Sequence, residues 1–299
     1  MAYSARVLQD SISPAGVRLT TFEVTFPRIV LAEFNTHRVF SRNSASSRAI
    51  PVEKRIAAVE TDPFIPESFG KNQKGMQAQE NLSDHEAALA RRVWLDAAEE
   101  AVAHARTLAK VGVHKQLANR LIEPFCWHTV IVTGTEWDNY WALRLSKMAQ
   151  PEIMKPTELM FDAYTDSVPR SLDLDQWHMP LLHDEAELRI EGFTQEQLLR
   201  ISVGRCARVS YMTHDGKRDP LADLELCERL QSSGHMSPFE HVARPIDARD
   251  HAGLLMKSGV TGYDPLDVDD HELFSGNLRG WQQLRKLLPN EANFGRVGQ

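Results

Sequence analysis

The stretch from Ser83 to Gly112 constrains this chain more than any other. Ser83-Asp84-His85-Glu86 carries the residues of a capping box, in which a serine and a glutamate three positions on satisfy each other's free N–H groups. Leu89, Val93, Ala97, Ala101, Leu108 and Val111 follow as a candidate buried stripe, and Gly112 supplies a stop. The pattern predicts one long helix over about 84–111.

Strands and further helices surround it. Val17–Phe26 is rich in β-branched and aromatic residues that sort onto two faces, which predicts a strand. Pro27 follows, and Ile29, Val30, Leu31 and Phe34 then predict a helix ending near His37–Arg38. The segment 41–51, dense in serine and closed by Pro51, reads as a loop, as does Pro63–Gly75. A helix is expected over His114–Glu123, then a short strand or buried turn at Thr129–Val132. Thr133 or Thr135 is expected to cap a helix over 136–145, with another starting near Pro156. Thr165–Asp184, with Pro169 and Pro180 and no period, reads as a linker or surface excursion. The remainder predicts helices at Thr194–Arg205 and Pro220–Gln231, strands at Arg208–Met212 and Val242–Ile246, and a closing helix over 275–288. The expected class is α/β (α+β), a mixed sheet packed with long helices. It divides into a nucleotide-binding and catalytic core at 1–165, a linker at 166–193, and a segment at 194–299 completing the same fold. Ser13-Pro14 and Ser237-Pro238 each precede a strand and then a helix, an echo that suggests a degenerate repeat.

Charge and cysteine usage bound the function. Acidic residues number 41 against 34 basic ones, which opposes non-specific nucleic-acid binding but leaves room for a local phosphate pocket. Cys126, Cys206 and Cys227 form no CxxC pair, so neither a zinc knuckle nor a disulfide framework is expected. No apolar run approaches the ~20 residues of a membrane span, and the N-terminus lacks signal-peptide character. These features predict a reduced, soluble, cytoplasmic protein with no membrane partner. No GxGxxG follows a strand, and neither a P-loop nor GxSxG is present.

Three stretches carry candidate chemistry. Thr36–Arg48 places Arg38, Arg42 and Arg48 among hydroxyls, a donor set suited to phosphate and equally to a solvated surface. Arg144 ends an aromatic segment with Trp137, Tyr140 and Trp141, which suits either a planar ligand or a core stripe with a snorkelling arginine. Gly234–His241 holds two histidines and Glu240, but not at helical i, i+4 spacing and not as HExxH, so no metal is expected. Cys126, beside Pro124 and Trp127, fits a buried small hydrophobe better than a nucleophile.

Taken together these stretches resemble the flavin-dependent thymidylate synthase family. THRVFSRNSASSR resembles its signature of Arg-His-Arg, seven residues and serine: His37 and Arg38 match, Ser46 is the serine, and Asn43 and Arg48 fall in place. GVHKQLANRLIEP followed by TEWDNYWALRLSKMAQPEI resembles the second half of that domain, with Arg144 and Gln150 in register. CARVSY (206–211) and GHMSPFEH (234–241) resemble segments that normally precede the signature, whereas here they follow it. The resemblance therefore implies a permuted or internally duplicated member.

What it implies for function is methylation of dUMP at C5 to dTMP with FAD, NADPH and methylenetetrahydrofolate, in a homo-oligomer (tetramer or dimer) with shared sites. Ser44, Ala45, Ser46 and Arg48 would hold the nucleotide phosphate, with Arg120 helping. Arg144 would face the uracil and favour its N3-deprotonated form. Ser46 would bind rather than attack, because reduced flavin supplies the hydride. His37, Arg38, Asn139, Ser210, His235, Ser237 and Glu240 map onto or beside FAD contacts. Three positions depart from the pattern: Thr36 replaces the first arginine, Glu33 replaces a glutamine beside the nucleotide, and Thr133 replaces a flavin-contacting asparagine. Glu33 motivates one alternative, hydroxymethylation of dUMP or dCMP, since a carboxylate accepts from an exocyclic amine. A non-catalytic nucleotide- or flavin-binding protein is another.

Overall fold

Alternation along one central strand explains how the sheet acquires two covered faces. In the computed structural model, which describes residues 2–75, 77–211, 219–247, 275–289 and 291 without the side chains of Ser210 and Tyr211, β1 (Ser4–Ile12) and β2 (Arg18–Pro27) form an antiparallel hairpin. Gly16 takes φ 77° in the turn between them. β4 (Trp127–Gly134) pairs antiparallel with β2, β3 (Ser41–Ser44) pairs antiparallel with β4, and β5 (Arg170–Ser171) runs parallel to β1. The order β3-β4-β2-β1-β5 is a mixed sheet, and the helices around it give the α/β class expected from the sequence.

Phe22, Val24 and Phe26 alternate onto one face with Val130 and Val132. Against them pack Phe34 of α1 (Leu31–Phe34), Tyr140 and Trp141 of α5 (Asp138–Arg144), and Ile153 and Met160 of α6 (Pro151–Asp166). Each such side chain contributes about 1.5–3 kcal/mol by leaving water. On the opposite face Thr21 sits directly across from Thr133 and Thr25 across from Thr129, with hydroxyls 2.7 and 2.8 Å apart. Period-two alternation thus makes one face greasy and the other hydroxyl-bearing.

The hydroxyl face is covered by the second half. Thr133 Oγ1 meets His241 Nδ1 at 2.8 Å, Thr21 Oγ1 meets His178 Nε2 at 2.8 Å, and His178 Nδ1 meets Ser11 Oγ at 2.9 Å. The result is one buried chain of hydrogen bonds from Ser11 to His241, whose Nε2 ends without a partner. Burial pushes both imidazoles down to about 3, with each other's proximity adding to the effect at His178, so both are neutral. α8 (Gln195–Tyr211) lies beside this chain, packing Cys206 and Val209 on Leu8 and Ile131. α9 (Pro220–Ser232) packs on α8 through Leu226 and Leu230, and Arg205 Nε bonds Asp223 at 3.1 Å. Gly204 makes that approach possible, since a Cβ there would lie 2.4 Å from the Asp223 carbonyl oxygen. The short helix α7 (Glu185–Ile190) adds Leu188 to the same core. Residues 166–193 thus contribute Leu172, His178, Met179, Leu182 and Leu188 to the interior.

Several elements differ from expectation. The long helix is α3 (Asp84–Lys110), and Glu86 accepts from the Ser83 N–H at 3.0 Å and from its hydroxyl at 2.6 Å. Its fully buried residues are Ala98, Val102 and Ala105, against α2 (Val52–Thr61), while Leu89, Val93 and Val111 are 60, 58 and 71% exposed. Small residues set that face because they let α2 come close. The first helix ends at Phe34 rather than near Arg38, and residues 41–44 form β3 instead of loop, because β4 offers a free edge. Thr133 lies inside β4, so it caps nothing, and α5 begins at Asp138 after Trp137. α6 starts at Pro151, where proline suits the first turn. His114–Glu123 resolves into α4 (Lys115–Ala118) and a 3-10 stretch Asn119–Phe125. The strand expected at 208–212 is the end of α8 as far as Tyr211, with Met212 outside the described residues. The closing helix is instead β7 (Trp281–Gln283), paired with β6 (Ala243–Pro245), and a 3-10 turn Leu284–Leu287. Gly276 and Gly280, at φ 99° and 70°, break helical continuity there.

Candidate functional site

The signature segment leaves the sheet at β3 and is tied down on both sides. Asn43, buried in β3, donates from Nδ2 to the Cys206 carbonyl at 2.8 Å and so fixes the strand to α8. Asn119, fully buried, donates from Nδ2 to the carbonyls of Ser47 and Ile50 at 2.6 and 2.9 Å. Ser47 Oγ bonds the Glu123 carboxylate, which also receives Arg120 Nη1 at 2.8 Å, and Lys115 Nζ reaches the Ala49 carbonyl at 3.3 Å. The loop is therefore held by carbonyl and buried-serine contacts, while Ser46 and Arg48 stay exposed.

Those side chains open onto a cavity of about 410 Å³. Its walls include Ser44, Ser46 and Arg48 from the signature, and His235 and Ser237 from the far end of the chain. Ser237 Oγ also reaches Asn43 Oδ1 at 3.4 Å, and His235 Nδ1 meets Ser233 Oγ at 2.9 Å. Stretches separated by nearly two hundred residues in the sequence thus share one concavity, as the permuted motif order anticipates. Ala45 is buried and does not line this cavity. Arg120 is not among its walls either; it is exposed and paired with Glu123.

Arg144 occupies a different place. Its Nε donates to His37 Nε2 at 2.9 Å, and Nη2 reaches the Glu33 carbonyl at 3.4 Å and Thr36 Oγ1 at 3.3 Å. None of these bonds uses Nη1, and none goes to a carboxylate that would offset the positive charge. His37 is buried, edge-on to Tyr140 at 4.8 Å. Burial, then Arg144, then Arg42 lower its pKa to about 4, which leaves Nε2 unprotonated at neutral pH to accept from Arg144. Arg42 Nη1 donates to the His37 carbonyl at 3.0 Å. The Glu33 Oε2 atom is buried without a hydrogen-bond partner. Arg38 and Asn139 are exposed.

Other candidate positions are spoken for or lie elsewhere. Glu240 pairs with Arg285, whose Nε also holds Glu291 at 2.6 Å. Thr133, at the position where an asparagine contact to flavin is usual, is buried between Thr21 and His241. Ser210 lies on α8, its side chain outside the described part. Among the described residues no cluster of three metal-ligating side chains occurs. Sequence reasoning missed Asn119 and Gln283. Gln283 Nε2 bonds Ser41 Oγ at 2.9 Å and Asn277 Oδ1 at 2.8 Å, tying the C-terminal segment to the signature strand. Buried amides serving backbone carbonyls leave no motif, so no spacing could have revealed them.

Comparison with known proteins adds three findings. A family model described as thymidylate synthase complementing protein matches residues 9–170, just over half of the chain. Among solved structures, the chain is similar to a UMP/dUMP methylase, PolB from Streptomyces cacaoi. With 5-Br UMP bound, that protein is 16% identical over 55% of this chain and 89% of its own, at TM-score 0.48. With 5-Br dUMP bound, the corresponding values are 15%, 55%, 90% and 0.46. No curated protein matches the chain.

Proposed function

We propose that this chain, which belongs to the thymidylate synthase complementing protein family, methylates the C5 carbon of dUMP to give dTMP. Membership makes it an enzyme of the thymidylate synthase type, a methyltransferase. The observation that carries the finer reading is the shared cavity of Ser44, Ser46, Arg48, His235 and Ser237. The exposed Ser46 hydroxyl, the half-buried Ser44 and Ser237, and one unencumbered arginine on a loop tied down by hydrogen bonds suit a phosphate monoester. Arg144 is the catalytic group. Anchored through Nε and Nη2, it offers Nη1 to a ring oxygen and stabilises negative charge as the uracil loses its N3 proton. Electron density pushed into the ring makes C5 nucleophilic, and fixed positioning supplies the rest.

The donor chemistry fits a flavin dinucleotide in part. Arg38, Asn139, His235 and Ser237 are exposed or cavity-lining donors suited to FAD phosphates and ring edge. His37 and Glu240 fit less directly, being held by Arg144 and Arg285. When bound, FAD reduced by NADPH supplies hydride, and methylenetetrahydrofolate the carbon unit. In one chain the Arg144 cluster and the Ser46 cavity share no residue, which supports a homo-oligomer, tetramer or dimer, with sites shared between copies. No helix among the described residues is long and apolar enough to cross a membrane. A reduced cytoplasmic setting accords with three buried free cysteines.

The purified protein is expected to be yellow, and its reduced flavin to be oxidised by methylenetetrahydrofolate only when dUMP is present. A colourless protein that fails to take up FAD overturns this reading. A second reading rests on Glu33 Oε2, a buried acceptor without a partner. Such an atom suits the exocyclic amine of dCMP and a hydroxymethyl product. Mass spectrometry of the product distinguishes the two: dTMP from dUMP alone eliminates the second.

A further inference from the structure

The cavity of about 410 Å³ has a wall residue that the proposed nucleotide chemistry does not yet use. His114, exposed at the head of α4, lines it together with Ser46 and Arg48. Among the described residues those walls carry one arginine, two histidines and no carboxylate, so their charge balance favours an anion. A phosphate monoester has three free oxygens, more than one guanidinium serves with two parallel bonds, which leaves a place for a further donor.

The family resemblance gives that place to Arg120, but Arg120 is engaged elsewhere. Its Nη1 reaches both carboxylate oxygens of Glu123, at 2.8 and 3.1 Å, and it does not line the cavity. His114 comes from the same stretch of chain and does line it.

The imidazole is set to donate. Its Nδ1 accepts the Gln116 N–H at 3.3 Å, the bond that caps α4. A ring nitrogen that accepts carries no proton, so the neutral ring holds its hydrogen on Nε2. Among the described residues no hydrogen bond engages that atom. The backbone beneath is tied to the signature loop. Lys115 Nζ reaches the Ala49 carbonyl at 3.3 Å, and Asn119 Nδ2 holds the carbonyls of Ser47 and Ile50. His114 and Arg48 therefore ride on two segments that are fastened together before any ligand arrives.

We propose that His114 is a phosphate-binding residue, its Nε2–H donating to a phosphate oxygen of the nucleotide beside Arg48 and Ser46, in the role that the motif spacing assigns to Arg120. This role for His114 rests on the nucleotide reading above and adds a residue to it.

Calorimetric titration with dUMP and with deoxyuridine, which lacks the phosphate, tests the assignment without turnover. His114→Asn keeps a capping oxygen for Gln116, while its shorter amide stops short of the Nε2 position. It is expected to weaken dUMP about tenfold, the scale of one hydrogen bond to a charged group, and to leave deoxyuridine binding and the melting temperature unchanged. His114→Phe loses donor and cap alike, so it should weaken dUMP to the same extent and lower the melting temperature besides. Arg120→Ala should weaken dUMP less than His114→Asn does. Wild-type dUMP affinity in His114→Asn overturns the proposal and leaves the nucleotide reading standing. So does a loss shared equally by dUMP and deoxyuridine, or a larger loss in Arg120→Ala. A wild-type protein that binds no dUMP overturns both.

Discussion

Arg144 Nε donates to the unprotonated Nε2 of His37 at 2.9 Å, so the cation is positioned by a neutral ring rather than by a carboxylate. The positive charge of Arg144 is thereby left for a ligand, and it is one reason His37 titrates low. Arg144→Ala is expected to lower kcat by roughly a hundred- to a thousandfold, the range for losing one preorganised charge-stabilising donor, while flavin colour persists. In the same variant the His37 midpoint should rise from about 4 towards the ordinary 6.5 without reaching it, because burial is the larger cause. Histidine NMR titration reads the shift. Near-normal kcat removes Arg144 from catalysis.

The buried chain from Ser11 to His241 makes the fold acid-sensitive. His178 and His241 stand at about 3 when folded and near 6.5 when unfolded. The unfolded state therefore binds more protons as pH falls below 6.5, and stability falls with it, by up to about 1.4 kcal/mol per pH unit per histidine. Urea unfolding at pH 7, 6 and 5 should show a steadily falling midpoint. Thr133→Val, which strips Thr21 and His241 of a shared partner, should cost about 1–3 kcal/mol at pH 7. A midpoint independent of pH contradicts neutral burial of this pair.

The same threonine shows where sequence reading stops. The strand Val17–Phe26, the capping box at Ser83 and the helices at 194–205 and 220–231 were legible because each carries a local signal of period, cap or proline. The loop proposed to hold the phosphate and the proposed catalytic Arg144 were singled out through spaced motifs. Thr133 looked like a cap or a flavin position, yet its partner His241 lies 108 residues away and is brought in by the second half. Residues 281–283 looked helical, yet pairing with 243–245 overrides a weak local preference. The stripe on α3 was displaced because small alanines, not the larger Leu89 and Val93, meet α2.

Arg48 lines the cavity proposed for the nucleotide while exposed, whereas Arg120 is not among its walls and is paired with Glu123. An exposed, unshared guanidinium contributes to ground-state binding of a phosphate. Arg48→Ala is expected to raise the dUMP KM about tenfold or more, with kcat little changed. Arg120→Ala should do less, since its charge is already half spent on Glu123. Steady-state titration of dUMP in both variants decides the matter, and an unchanged KM for Arg48→Ala removes it from the phosphate site.

Asn119 positions the signature loop without touching a ligand. Its amide nitrogen serves two carbonyls, of Ser47 and Ile50, from a site with no solvent access. Asn119→Leu loses both bonds and strands both carbonyls, a cost of about 2–4 kcal/mol. Asn119→Asp is more informative, because it keeps the shape and replaces the donor by a carboxylate facing two oxygens. Such a group resists ionisation when folded, so its folded pKa rises above the unfolded value near 3.9. The destabilisation should then grow as pH climbs from 4 to 8, opposite in sign to the histidine effect. In both variants the dUMP KM should rise, because Ser46 and Arg48 ride on the loop that Asn119 holds. Denaturant midpoints at pH 4.5 and 8 and KM at pH 8 measure the two consequences separately. A penalty equal at both pH values means the Asp side chain has turned away from the carbonyls, and an unaltered KM means the loop does not depend on Asn119.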